Sequence, residues 1–204
     1  MGSIVALRPT TSVGRGKGGV AQVRQLESLG LPEQMREAAC GPIRHCLLHG
    51  CLFQSGIGTL ILARGSSPDR LAMIGLLLDV FCLGIKDIVF ESIGADDFKA
   101  YVDVAAMAAP LRPVDPAYAR SLLHDLAAWS HSIGLPPHPD FAMVEIMFGG
   151  VAADACDAVF QFGKDGRPLY VPGPSESPMQ IRRRLQQLRK RLGDDGFEFA
   201  GQGA

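Results

Sequence analysis

Apolar positions recur along the chain with two periods, and the change from one to the other divides it. Thr59–Ala63, Leu71–Leu78 and Ile85–Phe90 are short aliphatic runs separated by Gly65-Ser66-Ser67-Pro68-Asp69 and by Phe81-Cys82-Leu83-Gly84. Connections this short cannot hold a crossover helix, so the three runs predict an antiparallel meander. Beyond it the period lengthens. Asp96–Met107 reads as a helix, and in Asp115–Ile133 the residues Tyr118, Leu122, Leu126, Trp129 and Ile133 recur at three and four, the stripe of an amphipathic helix. Gly134 and Pro136-Pro137 stop it. Phe141–Phe148 predicts a further helix with Asp140 placed to cap it. Ala158–Phe162, the turn Gly163-Lys164-Asp165-Gly166 and Pro168–Val171 read as a C-terminal hairpin. Ser177-Pro178 opens a last helix, with Ile181, Leu185, Leu188 and Leu192 on one stripe. The fold class expected is α+β: an antiparallel sheet, made of a meander plus a C-terminal hairpin, covered by helices. Residues 1–41 read as a flexible basic arm over 8–24 and a short helix over 25–38, residues 42–200 as one domain, and 201–204 as a tail.

Composition sharpens this outline. A length of 204 residues suits one large domain, and 47% hydrophobic against 20% charged residues is a globular balance. The richest apolar stretch, Leu71–Phe90, is broken by Asp79, Lys86 and Asp87, so no membrane span is expected. Ile4–Leu7 is too short for the apolar core of a secretory signal, which predicts a cytoplasmic location. Five cysteines without such a signal read as reduced thiols. The net charge of −1 conceals an uneven distribution, because Arg182, Arg183, Arg184, Arg189, Lys190 and Arg191 crowd the last helix and Arg8, Arg15, Lys17 and Arg24 the first residues. The stretch between them is acidic.

Several patterns invite a chemical reading. Gly14-Arg15-Gly16-Lys17-Gly18-Gly19 satisfies GxGxxG, but no strand leads into it, so a basic arm explains it better. Cys40, His45, Cys46, His49 and Cys51 could gather a soft metal, yet buried cysteines commonly act as small hydrophobes, and a core-facing segment is the better reading. His124 and His131 share a helical face that is expected to be solvated. Asp79 ends an apolar strand with Lys86 and Asp87 close behind, and Asp87 shares a strand face with Glu91. Carboxylates gathered at strand ends suit Mg²⁺- or Mn²⁺-dependent phosphodiester chemistry, since hard cations take oxygen ligands. In that reading Asp79, Asp87 and Asp140 are ligands, Lys86 offsets developing charge and His138 is the acid/base. The simpler alternatives are an Asp79–Lys86 pair holding a turn, and His138 with Asp140 capping a helix.

Leu78–Asp87, Ile133–Phe141 and Phe162–Pro174 together resemble motifs of a family of uncharacterised bacterial proteins, of the forms LDxxCLGxKD, GLxPHPDF and FGKDGxPxYVxGP. The resemblance covers about residues 42–200. It implies no established activity, only that the three segments belong to one domain. The functional expectation is an accessory protein that joins a protein partner in a larger assembly, with Arg182, Arg183, Arg184, Arg189, Lys190 and Arg191 in contact with that partner or with nucleic acid. The alternative is the metal-dependent hydrolase.

Overall fold

The computed structural model describes residues 31–67 and 69–201. The basic arm, its GxGxxG pattern, the first part of the helix expected over 25–38, Pro68 and residues 202–204 lie outside the described residues. Helix α1 (Leu31–Ala39) leads into strand β1 (Ile43–His49), a short helix α2 (Leu52–Ser55), and the meander β2 (Ile57–Ser67), β3 (Arg70–Asp79) and β4 (Gly84–Ile93). Helix α3 (Ala95–Ala106) and strand β5 (Leu111–Pro113) follow. Helices α4 (Pro116–Ser132) and α5 (Phe141–Phe148) come next, then β6 (Leu169–Tyr170), α6 (Pro178–Leu192) and β7 (Glu198–Phe199).

Strand order in the sheet is β4-β3-β2-β1-β5, with every pairing antiparallel. The mixed α+β architecture and the meander are as the hydrophobic pattern predicts. Two strands were hidden from it, β1 and β5, and they complete the sheet on the β2 side. The C-terminal hairpin needs correction. The turn at 163–166 forms, with Lys164 and Arg167 bridged, but residues 158–162 are not a strand, and Leu169–Tyr170 pairs in parallel with Glu198–Phe199 instead.

Burial follows strand alternation. Leu60, Leu62, Ile74, Leu76 and Leu78 point to one face, where Leu122 and Leu126 of α4, Val144 and Met147 of α5 and Met35 of α1 close the main core. Ile61, Ala63, Leu71 and Met73 point to the other and meet Phe98 of α3. At the centre of that second face a β-carbon on Gly75 would lie 2.2 Å from the Tyr101 hydroxyl, so only glycine lets α3 approach this closely. Because helices cover both faces, β2 and β3 are almost continuously apolar rather than alternating. Arg64 breaks the run. Its buried guanidinium donates to the carbonyls of Gly41, Met147 and Phe148, and so ties the end of α5 to the sheet.

Candidate functional site

The corner between β3 and β4 is where the residues singled out by sequence meet the rest of the chain. Asp79 is buried, and its Oδ1 accepts hydrogen bonds from the amides of Phe81 (3.0 Å) and Cys82 (2.9 Å). Burial pushes the carboxyl above its ordinary value, against the bond from Cys82 and the charge of Lys86. The same corner receives the C-terminal segment. The Gly163 amide donates to the Val80 carbonyl and the Leu169 amide to the Phe81 carbonyl, both at 2.9 Å.

Beneath these bonds Cys82 and Leu83 pack with Ile133, Leu135, Tyr170, Leu188 and Phe197. Each of the three motif segments therefore contributes to one apolar cluster. Around it lie alternating charges. Arg184 is ion-paired with Glu176, whose other oxygen accepts from the Gly173 amide. A β-carbon on Gly173 would meet the Lys86 ammonium at 3.4 Å and the Glu176 carboxylate at 3.5 Å, so these two groups approach the same spot. The Arg184–Glu176 pair lies within the C-terminal layer, and what fastens that layer to the turn is the pair of backbone bonds from Gly163 and Leu169 together with the apolar cluster. The Tyr170 hydroxyl is buried beside Arg184 and Glu176, and burial, with the Glu176 charge second, pushes its ionisation up to about 12. The Cys82 thiol is pushed up by burial as well, which leaves it an inert core group.

The outer side of the corner is a groove of about 710 Å³ lined by Phe53, Phe81, Tyr118 and Phe160 and by the turn at 163–166. Phe53 and Phe160 stack with centroids 6.1 Å apart, and Tyr118 meets Phe160 edge-on at 5.2 Å. Gly56, at φ +78°, lets Phe81 into this wall, since a β-carbon there would lie 2.1 Å from the ring.

The metal-site expectation does not assemble. Asp79 is committed to the turn, Asp87 is exposed on β4, where it accepts from the Ile88 amide, and Asp140 is exposed in the loop before α5. Among the described residues no three His, Cys, Asp or Glu side chains are grouped to hold a metal ion, so Asp79, Asp87 and Asp140 are not one ligand set for Mg²⁺ or Mn²⁺. Lys86 is near enough for its charge to act on Asp79 but makes no ion pair with it, so the turn is held by the Asp79 bonds to the Phe81 and Cys82 amides. His138 lies 3.9 Å from Asp140 within its own loop and accepts from the Asp140 amide. Asp140 occupies the N-cap position of α5, but its side chain makes no capping bond.

Of the cysteine–histidine segment, His45, Cys46 and His49 lie on β1 and Cys40 and Cys51 in the turns that flank it. Cys46 is in the core, with its thiol pushed up to about 12 by burial, while Cys40 and His45 are exposed. His49 is a buried connector that accepts from the Thr59 amide and reaches the Ala105 carbonyl of α3 at 3.0 Å. His124 and His131 are both exposed as expected, and His124 also bonds Glu145 at 2.9 Å beside Arg120.

On α6 the six basic residues separate into two groups. Arg184 pairs with Glu176, Arg189 with Asp194, and Arg191 donates to the Ser132 carbonyl at the end of α4. Arg182, Arg183 and Lys190 are exposed and have no ion-pair partner among the described residues. With exposed Met179 and Gln186 they recur at three and four along the outer side of the helix.

No protein-family model matches the chain, and neither the curated proteins nor the solved structures searched contain a match. No helix among the described residues is long and apolar enough to cross a membrane.

Proposed function

We propose that this chain is an accessory protein that joins a protein partner in a larger assembly through the outer stripe of α6. One observation carries this reading: Met179, Arg182, Arg183, Gln186 and Lys190 form a continuous exposed stripe whose cations are not spent on internal pairs, on a helix whose opposite side is anchored by Leu188. A cationic ridge on a helix favours an acidic partner surface, because its charges are presented on a backbone that is already ordered. Of the residues offered for hydrolysis, Asp79 is engaged in holding the turn, and Asp87 and Asp140 do not join it in one group. A cytoplasmic bacterial setting remains part of this proposal.

The test is native mass spectrometry of the full chain purified gently from its host, alongside an R182E/R183E/K190E variant whose folding is checked by circular dichroism. A stoichiometric protein partner that is retained by the wild type and lost from the folded variant supports the reading. Equal retention by both rejects it. Loss of the bound species on nuclease treatment, with no protein remaining, reassigns the stripe to nucleic acid.

A further inference from the structure

The opposite edge of the sheet carries a second surface. Strand β4 is ten residues long, is paired along its length to β3, and has no strand on its other side among the described residues. The hydrogen-bond phase fixes which of its groups point outward. Cys46 of β1 and Gly50 just past its end bond toward the β5 side, to Val114 and Pro110. Counting alternation across β2 and β3 from there leaves Ile88, Phe90 and Ser92 of β4 with amides and carbonyls directed away from the sheet. The Ile88 amide confirms this phase, because its acceptor is the Asp87 carboxylate at 2.9 Å. Phe90 and Ser92 thus offer a free backbone ladder.

Side chains along this edge state what would pair with it. Asp87, Val89 and Glu91 are exposed and share the face that holds α3, because they pair with Leu77, Gly75 and Met73 of β3 and Met73 packs with Phe98. Ile88 and Phe90, half-buried, share the other face with the main core. For a second copy of β4, antiparallel pairing about Val89 sets each Asp87 against the other strand's Glu91, and Lys86 sits in a bulge that distorts the end of the edge, so this register is disfavoured. A segment with basic residues at both ends and apolar ones between fits, since antiparallel addition puts its cations against Asp87 and Glu91 and its apolar residues against Ile88, Val89 and Phe90.

We infer that the β4 edge is a strand-addition site for an extended protein segment of the pattern basic–apolar–apolar–apolar–basic. This deepens the accessory reading by naming the chemistry of a partner segment, and it uses a surface separate from α6.

The probe is a soluble peptide with the core Lys-Ile-Val-Ile-Lys, flanked by Gly-Ser, compared with its Glu-Ile-Val-Ile-Glu counterpart by fluorescence anisotropy on the full chain. The expected result is at least a tenfold preference for the lysine peptide, with slowed amide exchange confined to Phe90 and Ser92 and their neighbours. A D87K/E91K variant, altered only at exposed side chains, should reverse the preference. Binding of neither peptide, equal binding of both, or a preference that the variant leaves unchanged overturns the inference. So does sedimentation as a dimer that D87K/E91K abolishes, which would make a second copy the occupant. Running R182E/R183E/K190E in parallel separates the two readings: peptide binding that survives in that variant stands whether or not the α6 stripe engages a partner.

Discussion

Asp79 sits between two opposing demands, since burial disfavours its charge while the Cys82 amide, Lys86 and the Phe81 amide favour it, and burial prevails. A carboxyl whose folded value is raised binds its proton more tightly in the folded chain than in the unfolded one. Its contribution to stability is therefore complete below the ordinary value of 3.8 and declines as pH rises through the raised folded value. Asp79→Asn keeps an oxygen for the turn amides and removes the charge, so it should flatten this part of the pH–stability profile and cost little at pH 7. Asp79→Ala removes the acceptor and should cost about 1–3 kcal/mol. Urea denaturation of both variants across pH 4–8 checks this; equal destabilisation by the two would show that the charge, and not the acceptor, holds the turn. The same residue shows what a sequence conveys. A carboxylate at the end of an apolar run marks a special position, but whether it holds a metal or a turn depends on where the next amides fall.

The helices were legible as elements because their signals are local. Leu122 and Leu126 are buried on α4 and Ile133 just past its end, as their spacing requires, and Ser177 accepts from the Gln180 amide while the Gln180 side chain accepts from the Ser177 amide. This capping box fixes the start of α6, and Ser177→Ala should cost about 1 kcal/mol in thermal unfolding. Its loss should leave the α6 stripe's ligand preference unaltered. Elements that depend on distant partners were harder to read. Ala158–Phe162 has the alternation of a strand, but Phe160 and Phe162 stack on Phe53 and Trp129 side chains rather than pairing through their backbone. Asp140 has the residue type of an N-cap but backbone angles of −87° and 8°, outside the extended region from which a carboxylate reaches the first turn's amides. β1 was masked by its cysteines and histidines, and β5, at three residues, has too few positions to show a period. Which cations on α6 are free was likewise unreadable, because Glu176, Asp194 and the Ser132 carbonyl that engage the others are set by tertiary contacts.

At the scale of the molecule the C-terminal layer and the sheet core meet at the chain's one tryptophan. Trp129 packs against the main core and also against the cluster of Cys82, Tyr170 and Leu188, with its ring 5.4 Å from that of Phe162. Its fluorescence thus reports the junction, while far-UV circular dichroism reports the helices and sheet. The junction is apolar and is reinforced by the backbone bonds from Gly163 and Leu169 to the β3–β4 turn, so the layer should not detach before the sheet unfolds, and the two signals should follow one transition. Leu188 is fully buried in that layer, and Leu188→Ala leaves a cavity expected to cost about 2–5 kcal/mol. For a chain of this size each kcal/mol lowers the midpoint by roughly 2–4 °C. The argued outcome is that both probes shift down together by that amount, because the cost is shared by the whole cooperative unit. A tryptophan transition that separates from the dichroism in the variant, or already in the wild type, would instead make the C-terminal layer a unit that opens alone. The α6 stripe would then ride on a movable element, and its partner would have to supply the order that the fold does not.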